Sequence, residues 1–382
     1  MRVGRGSEIV RILLIFGTRP EAIKIAPIYR ELKRRGAPFD CKVCVTAQHR
    51  EMLDSVLSVF EIRPDHDLDI MVADQSLERL TAEMFHRLPP VLATERPKVV
   101  LVQGDTTTAL VASLCAFYLR IPVGHVEAGL RTGNRYSPFP EEMNRRLVTQ
   151  LAQYHFAPTE NARRNLLREG IADDSILVTG NTVIDALLDL AAKARRVSTP
   201  PASVGAVRWH EKRVVLITGH RRESFGEPFR QVCLAFQSLA QRNPDVEFVY
   251  PVHLNPKVRQ PVGEILSGLT NFHLVEPLDY VSFVWCMDRC YLVITDSGGI
   301  QEEAPSLGKP VLVTRDQTER QEGIAQGTAK LVGTNSERIA AETQALLDSP
   351  QQYEAMSRAV NPYGDGHAAE RIADFLAARA RS

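Results

Sequence analysis

Short runs of consecutive apolar residues recur along the chain, each closed by glycine or small polar residues and followed by apolar positions at helical spacing. In the first half these runs are residues 11–16 (Arg-Ile-Leu-Leu-Ile-Phe), 41–46, 98–102, 122–126, 154–157 and 176–178. They do not alternate, so they read as strands buried on both faces, the habit of parallel sheets. Between them the spacing predicts a helix up to about residue 35, closed by Gly36, and others over 52–60, over 77–88, after Thr108 and from Glu141. Residues 193–212 are rich in Pro, Ser and Ala without a clear period and mark a domain boundary.

Beyond that boundary the pattern restarts. Arg213-Val214-Val215-Leu216-Ile217-Thr218-Gly219-His220-Arg221-Arg222-Glu223 echoes Arg11–Glu21 as strand, Gly, polar residue, Arg and then Glu two residues on, and the runs 247–252, 271–275, 291–294 and 310–314 follow as strands. Asn361-Pro362-Tyr363-Gly364-Asp365-Gly366 breaks the last helix of this half, and 367–380 is a final amphipathic helix. Alternating buried strands and helices mean an α/β protein with doubly wound parallel sheets. The expected domains are 1–190 and 191–363, with 364–382 crossing back to the first. In such sheets ligands sit at the carboxyl ends of strands, where every polar cluster of this chain falls. Two such Rossmann-like sheets facing each other across a cleft would gather those clusters into one site.

Composition narrows the class. A chain of 382 residues accommodates two cores, and 46 basic against 46 acidic residues give no reason to expect a nucleic-acid or membrane surface. There is no apolar run of 18 residues, and 12–16 is too short for a signal-peptide core, so a cytoplasmic protein is expected. Six cysteines, at 41, 44, 115, 233, 286 and 290, form no paired ligand set and read as buried reduced thiols. Neither a metal nor a cofactor is expected.

The chemistry concentrates in a few strand-end clusters. Thr295-Asp296-Ser297-Gly298-Gly299-Ile300-Gln301-Glu302-Glu303 reads as strand, turn and helix start, where close backbone N–H groups and a helix N-terminus suit a phosphate. Glu302 and Glu303 lie about 100° apart on a helix, so only one comfortably faces a ligand, in keeping with a ribose diol. Arg19 and Lys24 flank a matching turn and can converge on one phosphate, although a solvated helix start has the same composition. His220-Arg221-Arg222-Glu223 sets a titratable group beside two cations. Asp105, Glu127 and Glu141 occupy strand ends and a helix start in the first domain. Singly they read as caps or turn residues; together they favour acid–base work. The residues alone lead to metal-free polar catalysis on a phosphorylated substrate: a nucleotide-sugar enzyme, transferase or otherwise.

Laid out in order, these motifs resemble the non-hydrolysing UDP-N-acetylglucosamine 2-epimerase family of bacteria. The resemblance runs from Gly17-Thr18-Arg19-Pro20-Glu21 through Gln103-Gly104-Asp105-Thr106, His125-Val126-Glu127-Ala128-Gly129-Leu130-Arg131, Pro140-Glu141-Glu142-Met143-Asn144-Arg145 and Gly219-His220-Arg221-Arg222-Glu223 to Asn361–Gly366. It implies a GT-B-type fold, a homodimer, and interconversion of UDP-GlcNAc and UDP-ManNAc for surface polysaccharide. It further implies that Arg19, Lys24, Asp105, Glu127, His220, Phe283, Ser297, Gly298, Gly299, Glu303 and Arg320 contact the nucleotide sugar, with Asp105, Glu127, Glu141 and His220 in the chemistry. Leu278 stands near the uracil where some members carry Gln. Some members bind a second UDP-GlcNAc as activator, partly on residues 48–51, and Glu51 is Gln in forms known for that regulation. Hydrolysing epimerases and GT-B glycosyltransferases are the alternatives.

Overall fold

The computed structural model describes residues 9–47, 50–70, 72, 75–219, 221 and 224–379. It divides into two compact units, one of Met1–Ala186 with Gly364–Ser382 and one of Leu187–Tyr363.

The first unit is built on a seven-stranded sheet, β1 (Val10–Phe16), β2 (Phe39–Val45), β3 (His66–Asp67), β4 (Val99–Gln103), β5 (Val123–Val126), β6 (Tyr154–Ala157) and β7 (Ile176–Val178), in the order β3-β2-β1-β4-β5-β6-β7. The second has six strands, β8 (Arg213–Thr218), β9 (Val246–Pro251), β10 (Phe272–Val275), β11 (Leu292–Thr295), β12 (Val311–Val313) and β13 (Ala329–Leu331), ordered β10-β9-β8-β11-β12-β13. Every pairing is parallel. Parallel strands need helical crossovers, which cover both faces of a sheet and explain the non-alternating apolar runs. In β1 all but Arg11 are buried. Two short edge strands, β3 and β13, carry too few apolar positions to stand out in the sequence.

In both sheets the chain order reverses once, between β1 and β4 and between β8 and β11. Register then decides which turns share an edge. Ile15 pairs with Val102 and Gln103 with Val126, so the segments after β1, β4 and β5 leave the sheet side by side. Thr295 pairs with Thr218 in the second unit, so the segments after β8 and β11 do the same. A crevice at such a reversal is where open α/β sheets take ligands.

The final helix, Ala368–Arg379, packs on the first unit. Phe375 meets Phe156 and Tyr154 edge-on, at 5.5 and 5.3 Å between ring centres, and Arg35 pairs with Asp374 at 2.6 Å. One expected helix end moves. The helix Leu77–Glu95 runs through Pro89-Pro90, although Pro removes a helical hydrogen bond. Val91 and Leu92 beyond the prolines are buried in the core, and that burial carries the helix on.

All six cysteines are free and buried, and burial pushes Cys41 and Cys44 up to about 12. Among the described residues no helix is long and apolar enough to cross a membrane.

Candidate active site

In the first unit the site is built around Glu127, which directly follows β5. Its backbone is left-handed, φ +66°, a conformation a non-glycine residue holds at a cost of order 1–3 kcal/mol. Its side chain is 5% exposed. Lys24, from the first helix (Arg19–Arg35), donates to both carboxylate oxygens at 2.6 and 2.7 Å. Asn181, after β7, donates to Oε1 at 3.0 Å, and Gln103, the last residue of β4, donates to Oε2. A buried carboxylate needs such compensation. Three elements far apart in sequence supply it.

Asp105 lies beside this group, one residue past Gly104. A Cβ placed on Gly104 would stand 3.7 Å from Glu127 Oε2. Arg145 donates to Asp105 Oδ2 through Nε at 3.1 Å, and Asn144 Nδ2 donates to its main-chain carbonyl at 2.9 Å. Both donors sit on the helix Glu141–Leu151, which opens with Glu141. Glu141 Oε2 is buried and has no hydrogen-bond partner among the described residues. Its neighbour Glu142 is fully buried and accepts from Thr132 N at 3.0 Å and Gly133 N at 3.3 Å, pinning the irregular segment that precedes the helix. The structure therefore brings Asp105 beside Glu127 and places Glu141 at the head of the helix whose Asn144 and Arg145 hold Asp105.

Lys24 is committed to Glu127, whereas Arg19, half-buried at the first helical position, has no carboxylate partner among the described residues. Of the two cations read as a phosphate pair, Arg19 is the one left for an anion. Gly17 ahead of it has a packing reason: a Cβ there would stand 2.0 Å from Thr46 Oγ1 and 2.7 Å from Thr108 Oγ1.

Sequence reasoning did not assign Gln103 and Asn181 a role, although both lie inside strand-end clusters. Their signal is a polar residue at a position that the strand pattern buries, at 3% and 2% exposure. His125 was missed in the same way. It is fully buried on β5, its Nε2 lies 2.7 Å from Gly104 O, and burial pulls it down to about 3, so the ring is neutral.

In the second unit the turn after β11 is shaped by its own polar groups. Thr295 Oγ1 meets Thr218 Oγ1 at 2.6 Å and accepts from Ser297 N at 2.9 Å, while Asp296 Oδ2 accepts from Arg221 N at 2.8 Å. Gly298 begins the helix Gly298–Glu303, and Arg320 lies against it, since a Cβ there would stand 3.1 Å from the guanidinium carbon. Among the described residues, a Cβ on Gly299 would meet no atom outside its own helix nearer than Ser297 Oγ at 4.0 Å. Protein packing does not demand that glycine, but a ligand approaching the backbone would.

Glu302, 2% exposed, is turned inward and holds Arg320 at 2.8 Å, and its neighbour Glu303 is 8% exposed. Beside Arg320, burial pushes Glu319 up, but its bond to Arg315, a backbone hydrogen bond and the charges of Arg315 and Arg320 together outweigh that push and draw it down to about 2. Leu278 precedes the helix Tyr280–Arg289 and Phe283 lies in its first turn, both half-buried. His220 lies outside the described residues, as do Arg222 and Glu223.

Comparison with known proteins gives the arrangement a context. The profile of the UDP-N-acetylglucosamine 2-epimerase family matches residues 30–377. The UDP-N-acetylglucosamine 2-epimerases of Salmonella typhimurium and Escherichia coli K12 are each 55% identical over 370 residues, 96% of this chain and 98% of theirs. The crystal structure of UDP-GlcNAc 2-epimerase from Neisseria meningitidis bound to UDP-GlcNAc superposes with a TM-score of 0.88 at 50% identity, covering 97% of this chain and 100% of that one. The Methanocaldococcus jannaschii enzyme, in complex with UDP-GlcNAc and UDP, does so with a TM-score of 0.79 at 33% identity, over 97% of this chain and 100% of that one. Two parallel α/β sheets of the GT-B kind, carboxylates at the strand ends of one and a Ser-Gly-Gly turn in the other, and similarity over nearly the whole length lead to one conclusion: the chain belongs to the UDP-N-acetylglucosamine 2-epimerase family.

Proposed function

We propose that this protein interconverts UDP-GlcNAc and UDP-ManNAc without hydrolysing them. The observation that carries the reading is the Glu127 carboxylate: buried, on a strained residue, and held by Lys24, Gln103 and Asn181 beside Asp105. Positioned carboxylates with distinct surroundings are what proton transfer to and from carbon requires.

The chemistry follows from the substrate. The proton on C2 of the sugar is not next to a carbonyl, so direct abstraction is very unfavourable. Breaking the C1–O bond first sends the electron pair away with UDP and leaves an oxocarbenium-like cation. Loss of the C2 proton then gives 2-acetamidoglucal. Reprotonation on the other face and return of UDP to C1 yield the epimer. The leaving diphosphate is assigned to Arg19 and to the N–H groups of Gly298 and Gly299, with Ser297, Arg320 and His220 as further contacts. Removing one donor of this kind costs about 3–4 kcal/mol in the transition state. Glu303 is assigned to the ribose, and Leu278 and Phe283 to the base. Lys24 acts through Glu127 as well as by its charge. Asp105, Glu127 and Glu141 share the stabilisation of the cation and the two proton transfers.

The same family resemblance supports a cytoplasmic homodimer supplying surface polysaccharide; activation by a second UDP-GlcNAc through residues 48–51 belongs to some members, and this chain carries Glu51 where the forms known for it carry Gln. Residues 48 and 49, and the side chains of 50 and 51, lie outside those described.

Proton NMR of the purified protein with UDP-GlcNAc in D2O tests the reading. UDP-ManNAc carrying deuterium at C2 is expected. Free ManNAc with UDP would replace it by the hydrolysing reaction, and no conversion even with excess substrate would point to a transferase.

A further inference from the structure

We propose that Glu21 is a positioning residue that, through Thr106, locks the turn carrying Arg19 to the turn carrying Asp105. The inference rests on the function proposed above, to which it adds a part.

Glu21 is the third residue of the helix Arg19–Arg35, where a carboxylate ordinarily closes a capping box at the surface. Here it is 1% exposed. Its Oε2 accepts from Gly17 N at 3.1 Å, Thr18 N at 2.8 Å and Thr18 Oγ1 at 2.7 Å. Its Oε1 accepts from Thr106 Oγ1 at 2.7 Å, 85 positions further along the chain. Thr106 Oγ1 in turn accepts from Ala109 N at 3.0 Å as cap of the helix Thr107–Tyr118, so its single proton goes to Glu21.

Capping alone requires neither the burial nor the second oxygen. Burial raises the carboxyl above its ordinary range, the four hydrogen bonds oppose that, and among the described residues no Lys or Arg pairs with it. A buried acceptor so fully saturated by donors holds their relative positions closely. Its side chain spans the reversal between β1 and β4. On one side Thr18 precedes Arg19; on the other Thr106 follows Asp105. The cation for the leaving group and a carboxylate for the sugar are thereby set in one frame.

Thr106→Val removes the bridging hydroxyl at nearly constant shape, and Thr106→Ser keeps it. In Thr106→Val, kcat is expected to fall roughly tenfold or more, with KM for UDP-GlcNAc within about threefold of the parent. Thr106→Ser should regain activity to within about twofold. Hydrogen–deuterium exchange should quicken in both turn peptides, residues 17–19 and 104–106, in the Val variant alone. Faster exchange confined to the peptide containing residue 106, or an unchanged kcat in folded Thr106→Val, overturns the bridge. If the parent protein converts no UDP-GlcNAc, the proposed function falls and the exchange pattern alone decides the bridge. Glu21→Gln, which turns an NH2 toward donors, should show the stronger effect, but the Thr106 pair decides whether or not that variant folds.

Discussion

The two sheet reversals of this molecule share a topology and differ in what they present. At the first, between β1 and β4, side chains dominate: Lys24, Gln103 and Asn181 converge on Glu127, and Arg145 and Asn144 hold Asp105. At the second, between β8 and β11, side chains shape the main chain instead. The Thr218–Thr295 hydroxyl pair and Asp296 fix the turn, and Gly299 leaves its backbone open. Under the proposed function, the first edge would move protons and the second would hold the anion. The fold supplies the edge, and the residues at the strand ends supply the chemistry.

Substitution at Glu127 tests this contrast most severely. Glu127→Gln is expected to lower kcat by roughly a hundredfold or more while UDP-GlcNAc binding, measured by calorimetry, stays within about threefold. Near-normal turnover would remove the carboxylate from the chemistry and erase the difference between the two edges. The second edge is tested by Gly299→Ala. UDP affinity should fall about tenfold while the melting temperature stays put, because the added methyl meets ligand and not protein. Gly298→Ala should lose both, since Arg320 stands in the way. Equal UDP affinity in Gly299→Ala would reassign the anion site.

A smaller effect separates the units by pH. In the first unit Asp185 is raised to about 6 by burial, above its ordinary 3.8. The stability it contributes is complete below that ordinary value and lost as pH rises through about 6, a span of up to about 3 kcal/mol. In the second unit the depressed Glu319 behaves oppositely: its contribution is present above 4.5 and lost as pH falls through about 2. Melts between pH 3 and 8 should therefore show the Asp185 slope vanish in Asp185→Asn. Glu319→Gln should cost stability at pH 7 but progressively less below pH 4. Slopes of the same sign in both variants would contradict the burial and pairing described for these groups.

Much of the site was legible as position and little as partnership. Glu127, Asp105 and Glu141 stand out in the sequence because charged residues directly follow apolar runs or open a helix. Gln103, Asn181 and His125 do not, because an amide or imidazole at a strand end carries no sign of what it will face. Arg19 and Lys24 looked equivalent from their spacing. Only the position of β5 two strands from β1 put Lys24 on Glu127, 103 residues away, and left Arg19 without a carboxylate among the described residues. Helical geometry reduces the pair Glu302 and Glu303 to one ligand-facing candidate, whereas the inward placement of Glu302 depends on Arg320, 18 residues on.

Apart from the short edge strands β3 and β13, the sequence by itself determined the strands and the turns that close them, because apolar periodicity, glycine and capping chemistry act over a few residues. It also placed the candidate polar groups at strand ends, since a strand's end is a local event. Tertiary structure decided which strand ends become neighbours, whether a helix survives Pro89-Pro90, and which buried carboxylate meets which donor. Those outcomes depend on burial and strand order, which join residues that no local pattern connects.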